Sequence, residues 1–108
     1  YYPLKYIRMP QQGTSVRERQ DTHTEAPRSY RVWLLNDDFT PMDFVVEILC
    51  GLFDKAPVIA ENIMMRVHRS GRAVAGIYSF DVAHSKAEKA MRLAREHQYP
   101  LRLEVTED

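Results

Sequence analysis

The segment between a β-prone run and an amphipathic helix constrains this chain most. It reads NDDFTPMDFV from Asn36 to Val45 and brings one amide, three carboxylates and a hydroxyl to a single junction. Helix capping accounts for part of it. Thr40 is predicted to be the N-cap, Pro41 suits the first helical position, and Asp43 completes a Thr-x-x-Asp variant of the capping box. The amide and two carboxylates that open the segment remain unexplained, and we expect them to serve a function.

Size and charge limit the classes of protein to consider. A chain of 108 residues predicts one domain with a single modest core, too small for a large buried catalytic cavity. Fifteen basic and fifteen acidic residues give no general attraction to nucleic acid or an anionic membrane. No apolar run approaches the roughly 20 residues that span a bilayer. We therefore expect a cytoplasmic binding module with no nucleic-acid or membrane partner.

The single cysteine, Cys50, excludes an internal disulfide and a cysteine-based zinc site. It lies in an apolar helical pattern, which predicts a thiol buried in the core.

Two regions differ in composition. Residues 1–29 hold a long, almost wholly polar stretch from Pro10 to Arg28, which cannot offset the entropy of its own ordering by burial. We predict a flexible N-terminal extension over 1–29 and a folded domain over 30–108.

Within the domain, hydrophobic periodicity and turn residues predict six elements in the order β-α-α-β-α-β. The predicted strands are Tyr30–Leu35, Arg72–Tyr78 and Leu101–Val105. The predicted helices are Pro41–Phe53, Pro57 to a C-cap at Gly71, and a third that Ser79 caps and that ends near His97. This is an α+β domain, a small sheet covered on one face by helices.

The end of the second helix combines apolar and polar side chains. Met64, Val67 and His68 are three and four positions apart, so they lean toward one region. By spacing alone, His68 is typical of a histidine that caps the last helix carbonyls, and Met64 of core filler. A metal site of Asp37, Asp38 and His68 is disfavoured, because adjacent carboxylates point differently and no second histidine lies at ligand spacing.

Taken together, these motifs resemble the ClpS family of Clp protease adaptors. The matching features are the strand, NDDFTPMDFV, Met64-x-x-Val67-His68, Gly71, Gly76, the Asp81–Lys86 segment and Pro100-Leu101. The resemblance implies a three-stranded antiparallel sheet packed with three helices. It also implies a monomeric adaptor, not an enzyme, that needs no metal or cofactor. Such an adaptor binds proteins with N-terminal Leu, Phe, Tyr or Trp (N-degrons) and delivers them to the unfoldase ClpA for degradation by ClpP.

The resemblance also implies a set of site residues. Asn36, Asp37 and His68 would bind the α-amino group of the substrate. The apolar pocket would be formed by Leu35, Asp38, Thr40, Met42, Val45, Met64, Val67 and Leu101. Met42 corresponds to the residue that excludes β-branched Val and Ile. Asp81 and Lys86 would contact the N-terminal domain of ClpA.

Two other classes of protein stay open at this point. A small hydrolase using Asp37, Asp38 and His68 would require a nucleophile or a metal. A protein-docking module of similar fold would lack amino-terminal recognition. Binding of a Phe-initiated peptide, but not of its N-acetylated form, would separate the adaptor from both.

Overall fold

The computed structural model describes residues 27–108. Its elements are β1 (Tyr30–Leu35), α1 (Met42–Gly51), α2 (Pro57–Ser70), β2 (Arg72–Tyr78), α3 (Phe80–Glu96) and β3 (Arg102–Glu107). The predicted α+β class and element order are confirmed. A flexible extension was predicted for residues 1–29. Residues 1–26 lie outside the described part of the chain, and residues 27–29 are exposed and form neither helix nor strand.

Strand β1 is the centre of a three-stranded sheet with the order β2-β1-β3, and it runs antiparallel to both neighbours. At its far end Leu35 pairs with Arg72 and with Arg102. The pairing extends one residue further, because the Asn36 N–H donates to the Gly71 carbonyl at 2.9 Å. The polar segment after β1 is thereby held beside the C-terminus of α2.

One face of the sheet carries the core. Val32 and Leu34 of β1 are fully buried, and the helices pack on this face. Helix α3 contributes a stripe of small residues, which are Ala83, Ala87, Ala90 and Ala94. The opposite face holds Trp33, whose indole N–H donates to the Thr106 hydroxyl at 2.8 Å.

Helix α1 buries a slightly different set from the one predicted. Val45, Ile48 and Leu49 are buried as expected, whereas Leu52 is only half-buried. Phe44 is buried instead, and its ring packs edge-to-face on Tyr99 at 5.0 Å between centroids. The prediction of a buried Cys50 thiol is also wrong, because Cys50 is half-buried.

The ends of α2 and α3 follow the sequence, whereas α1 differs from its predicted bounds of Pro41–Phe53 at both ends, since it runs from Met42 to Gly51. Gly71 takes the left-handed conformation at φ 93°, and its N–H donates to the Val67 carbonyl, as predicted for a C-cap. Thr40 is not the N-cap of α1: Pro41 holds that position in an extended conformation, and helical residues begin at Met42. The hydroxyl of Thr40 has a different partner, described below.

Candidate functional site

A cavity of about 220 Å³ opens between the segment after β1, the start of α1 and the C-terminal half of α2. Its lining residues were all predicted to belong to the site. They are Asn36, Asp37, Asp38, Thr40, Met42, Val45, Met64, Val67 and His68. A cavity of about 150 Å³ is enough to hold benzene, so this one is large enough for a single aromatic or aliphatic side chain.

Two predicted pocket residues do not line the cavity. Leu101 is 1% exposed and belongs to the hydrophobic core, where it precedes β3. Leu35 is half-buried at the end of β1 and is also absent from the cavity wall.

The cavity is divided by polarity. Val45 and Val67 are buried and supply apolar wall, with the half-buried Met64 beside them. Asn36 and His68 are exposed and supply an amide and an imidazole. An apolar interior with acceptors at its edge suits a ligand in which a hydrophobic side chain adjoins a cation.

Asp37 organises the turn that forms one side of the cavity. Its Oδ1 accepts hydrogen bonds from the Phe39 N–H at 2.8 Å and the Thr40 N–H at 2.7 Å. Its Oδ2 accepts from the Thr40 hydroxyl at 2.8 Å. Thr40 is therefore bound to the turn rather than to the N-terminus of α1. Residues 36–40 are named the binding turn below.

These contacts keep Asp37 ionised. Burial alone would raise the pKa of this carboxyl group. The N–H groups of Phe39 and Thr40, the Thr40 hydroxyl and the charge of Arg95 outweigh burial and hold the pKa below its usual value of 3.8. The binding turn thus carries a negative charge at neutral pH.

His68 lies just before the end of α2. The spacing alone favoured a histidine that caps the helix carbonyls, but within residues 27–108 its ring makes no hydrogen bond to a carbonyl. His97 shows the contrasting case, with Nδ1 3.0 Å from the Leu93 carbonyl oxygen. Gly71 ends α2 through its backbone, which leaves the His68 imidazole available at the cavity.

The two residues predicted to contact ClpA differ in environment. Asp81 is exposed in the first turn of α3. Lys86 is half-buried, and its Nζ donates to the Leu52 carbonyl at 2.6 Å. The same ammonium lies 5.3 Å from the ring centroid of Tyr78. Lys86 therefore has partners within the domain.

Sequence reasoning missed a groove of about 540 Å³ next to the cavity. Met42 and Met64 line both, and the groove continues between α1 and α2. Its other lining residues are Asp43, Val46, Glu47, Glu61 and Met65. The i, i+4 pairs in α1, which place Met42 beside Val46 and Asp43 beside Glu47, are the sequence signal that could have indicated it.

Residues 27–108 contain no group of three or more His, Cys, Asp or Glu side chains placed to hold a metal ion. None of the helices in this range has the length and apolar character needed to cross a membrane.

Comparison with known proteins assigns the chain to a family. The model of the ATP-dependent Clp protease adaptor protein ClpS matches residues 25–104. The chain belongs to the ClpS family. ClpS proteins are adaptors, and an adaptor presents a protein to a protease without catalysing a reaction itself.

Individual ClpS relatives match over most of their length. The ATP-dependent Clp protease adapter protein ClpS of Maricaulis maris is 44% identical over 91 residues, covering 84% of each chain. ClpS of Treponema denticola is 42% identical over 102 residues, covering 94% of this chain and 97% of its own.

A solved structure shares both fold and family. Agrobacterium tumefaciens ClpS2 bound to L-phenylalaninamide matches with a TM-score of 0.74 and 36% identity. The match covers 77% of this chain and all of ClpS2.

Proposed function

We propose that this ClpS-family adaptor binds proteins with N-terminal Leu, Phe, Tyr or Trp and delivers them to the ClpA unfoldase for degradation by ClpP. The observation that carries the proposal is the cavity, where apolar walls from α1 and α2 meet polar groups from the binding turn and His68. The ligand of Agrobacterium ClpS2 supports it. L-phenylalaninamide presents a free α-amino group, an apolar side chain and an amide in place of the next peptide bond.

Each half of such a ligand has a counterpart in the cavity. The Asn36 amide oxygen and the neutral His68 imidazole accept from the α-ammonium, and the charge of Asp37 favours a cation over a neutral terminus. Val45, Val67 and the two methionines surround the side chain. Burial of a Leu or Phe side chain is worth about 1.5–3 kcal/mol, and an unpaired buried polar group costs about 1–3 kcal/mol. Both halves of the ligand should therefore be required.

Delivery uses a different part of the domain. We assign the ClpA contact to the start of α3, where Asp81 is exposed and Lys86 lies one turn further on. We further propose that the adaptor acts as a monomer. We propose that this hand-over takes place in the cytoplasm.

The decisive experiment compares two peptides that differ only at the terminus. Fluorescence anisotropy with a Phe-initiated peptide should show saturable binding, and the N-acetylated peptide should bind at least about 30-fold more weakly, since acetylation removes the charge and leaves acceptors unpaired. An Ala-initiated peptide controls for the side chain. Equal affinity for the free and acetylated peptides would refute amino-terminal recognition and favour a docking module of similar fold.

Delivery is tested separately by degradation of a Phe-initiated reporter with ClpA and ClpP. Added protein should accelerate loss of the reporter, and an excess of the free Phe-initiated peptide should reverse the effect. Peptide binding without acceleration would keep the recognition proposal and reject ClpA as the partner.

A further inference from the structure

The carboxylate of Asp37 is largely occupied by its own turn. A carboxylate offers about four lone-pair sites, and three are taken, by the Phe39 N–H, the Thr40 N–H and the Thr40 hydroxyl. A residue whose main task was to accept from a substrate ammonium would keep its oxygens free. Asp37 therefore has limited capacity for a direct bond to the ligand.

The two ends of the binding turn are fixed by different contacts. At the first end, the Asn36 N–H donates to the Gly71 carbonyl at 2.9 Å. At the second, Asp37 holds both the N–H and the hydroxyl of Thr40 at 2.7–2.8 Å. Between them Phe39 is 78% exposed, so packing of its side chain contributes little to the shape of the turn. The shape of the turn therefore depends on Asp37.

The second end of the turn leads directly into helix α1. Pro41 follows Thr40 as the N-cap, and Met42, which lines the cavity, is the first helical residue. Thr40 precedes the N-cap rather than occupying it, and its hydroxyl donates to Asp37. The position of Met42 relative to Asn36 is thus set through the Asp37–Thr40 pair.

We propose that Asp37 is a positioning residue, which shapes the binding turn so that Asn36 and Met42 face the ligand, and that its hydrogen-bond geometry matters more for affinity than its charge. This inference rests on the proposed function and assigns Asp37 a role within it. Thr40 is its partner in that role.

Asparagine separates geometry from charge. In Asp37→Asn the Oδ1 atom still accepts both backbone N–H groups, and the new Nδ2 donates to the Thr40 hydroxyl oxygen, which is both donor and acceptor. In Asp37→Ala all three bonds are lost. Asp43→Asn is the matched charge control, since it removes a carboxylate from the same stretch of chain. Asp43 lines the neighbouring groove but not the cavity.

The experiment measures the affinity of these variants for a Phe-initiated peptide, together with the Tm. We expect the affinity of Asp37→Ala for the peptide to fall at least about tenfold, and the affinity of Asp37→Asn to fall less than about threefold. The affinity of Thr40→Val should fall about threefold, because one of the three hydrogen bonds is removed. Where Asp37→Ala is too unstable to fold, the Asn and Val variants carry the comparison.

Amide exchange of the ligand-free protein gives an independent readout of the turn. The Phe39 and Thr40 amides should exchange faster in Asp37→Ala and at near-parental rates in Asp37→Asn. If Asp37→Asn binds as weakly as Asp37→Ala while Asp43→Asn is unaffected, Asp37 acts by charge and the positioning role is refuted. If the parent protein itself does not bind the peptide, the proposed function fails, and the positioning role fails with it.

Discussion

Lys86 should stabilise the domain independently of any partner. Its ammonium donates to the Leu52 carbonyl at the C-terminus of α1, and it lies 5.3 Å from the Tyr78 ring and 5.9 Å from the Phe53 ring. The lysine thereby connects α3 to the end of α1 and to β2. Lys86→Met keeps the apolar stem of the side chain and removes the charge together with the donated hydrogen bond.

The magnitude follows from these contacts. A hydrogen bond to a charged group contributes about 1.5–3 kcal/mol, and a partly exposed cation–π contact about 0.5–1 kcal/mol. Ordering a lysine side chain costs up to about 2 kcal/mol, and water screens a half-buried ammonium. We expect a net loss of about 1–2 kcal/mol in the free energy of unfolding. In a domain of this size, that loss lowers the Tm by about 5–15 °C.

Urea unfolding and thermal melts measure the loss, with Lys86→Arg as the charge-retaining control. Arginine keeps hydrogen-bond donors and the charge, so Lys86→Arg should lower the free energy of unfolding by less, below about 1 kcal/mol. Asp81→Asn is the matched exposed variant on the same helix, and its effect on stability should stay below about 0.5 kcal/mol. A Lys86→Met protein as stable as the parent would show that the Leu52 contact contributes nothing to the free energy of unfolding. Contact with ClpA would then be the only role proposed for Lys86.

The remaining predictions concern the cavity and the sheet. In peptide competition, Met42→Ala should reduce the ratio of the affinity for Phe termini to the affinity for Val termini by about tenfold, because a smaller side chain widens the cavity. An unchanged ratio would show that Met42 does not exclude β-branched residues. His68→Phe should weaken binding of a Phe-initiated peptide by about tenfold, because the new ring offers no nitrogen to accept a hydrogen bond from the α-ammonium; unchanged affinity would exclude His68 as an acceptor. The folded-state pKa of Asp37 is depressed, so its contribution to stability is present above the unfolded value of 3.8 and is lost as pH falls through the lower folded value. Melts of Asp37→Asn should lack this acid-dependent loss, and identical pH profiles of the variant and the parent would contradict it. Gly76→Ala should destabilise the domain by about 1–3 kcal/mol in urea unfolding, because the added Cβ would meet the Tyr78 ring at under 3.0 Å; full stability would mean that the ring moves aside freely.

Local signals in the sequence predicted most of the fold. Strands β1 and β2 have the predicted bounds, because a polar segment ends the first and Gly71 precedes the second. Helix α2 begins at Pro57 and ends before a glycine in the left-handed conformation. Each of these boundaries follows from the backbone preference of a single residue, which the sequence shows directly. Thr40 is not the N-cap because α1 begins at Met42, one residue later than predicted. The Thr40 hydroxyl donates instead to the carboxylate three residues earlier, a contact that spacing alone does not indicate.

Burial of single residues was harder to predict than the elements themselves. Cys50 and Leu52 belong to the apolar pattern of α1, yet both are half-buried, while Phe44 packs on Tyr99 from a distant part of the chain. Leu101 was expected at the cavity by family resemblance but is enclosed by the core. Each outcome depends on which elements pack against α1 and β3, and periodicity within one element carries no information about its neighbour.

The role of His68 shows where spacing alone reaches its limit. On an isolated helix, a histidine near the C-terminus and a glycine just beyond it are both good candidates to satisfy the last carbonyls. The tertiary structure decides between them, because the Gly71 N–H donates to Val67 while the Gly71 carbonyl accepts from Asn36. One glycine thus ends the helix and also brings the binding turn beside it. His68 is left without a capping role and lies in the cavity with Asn36, which is the arrangement that the peptide experiments test.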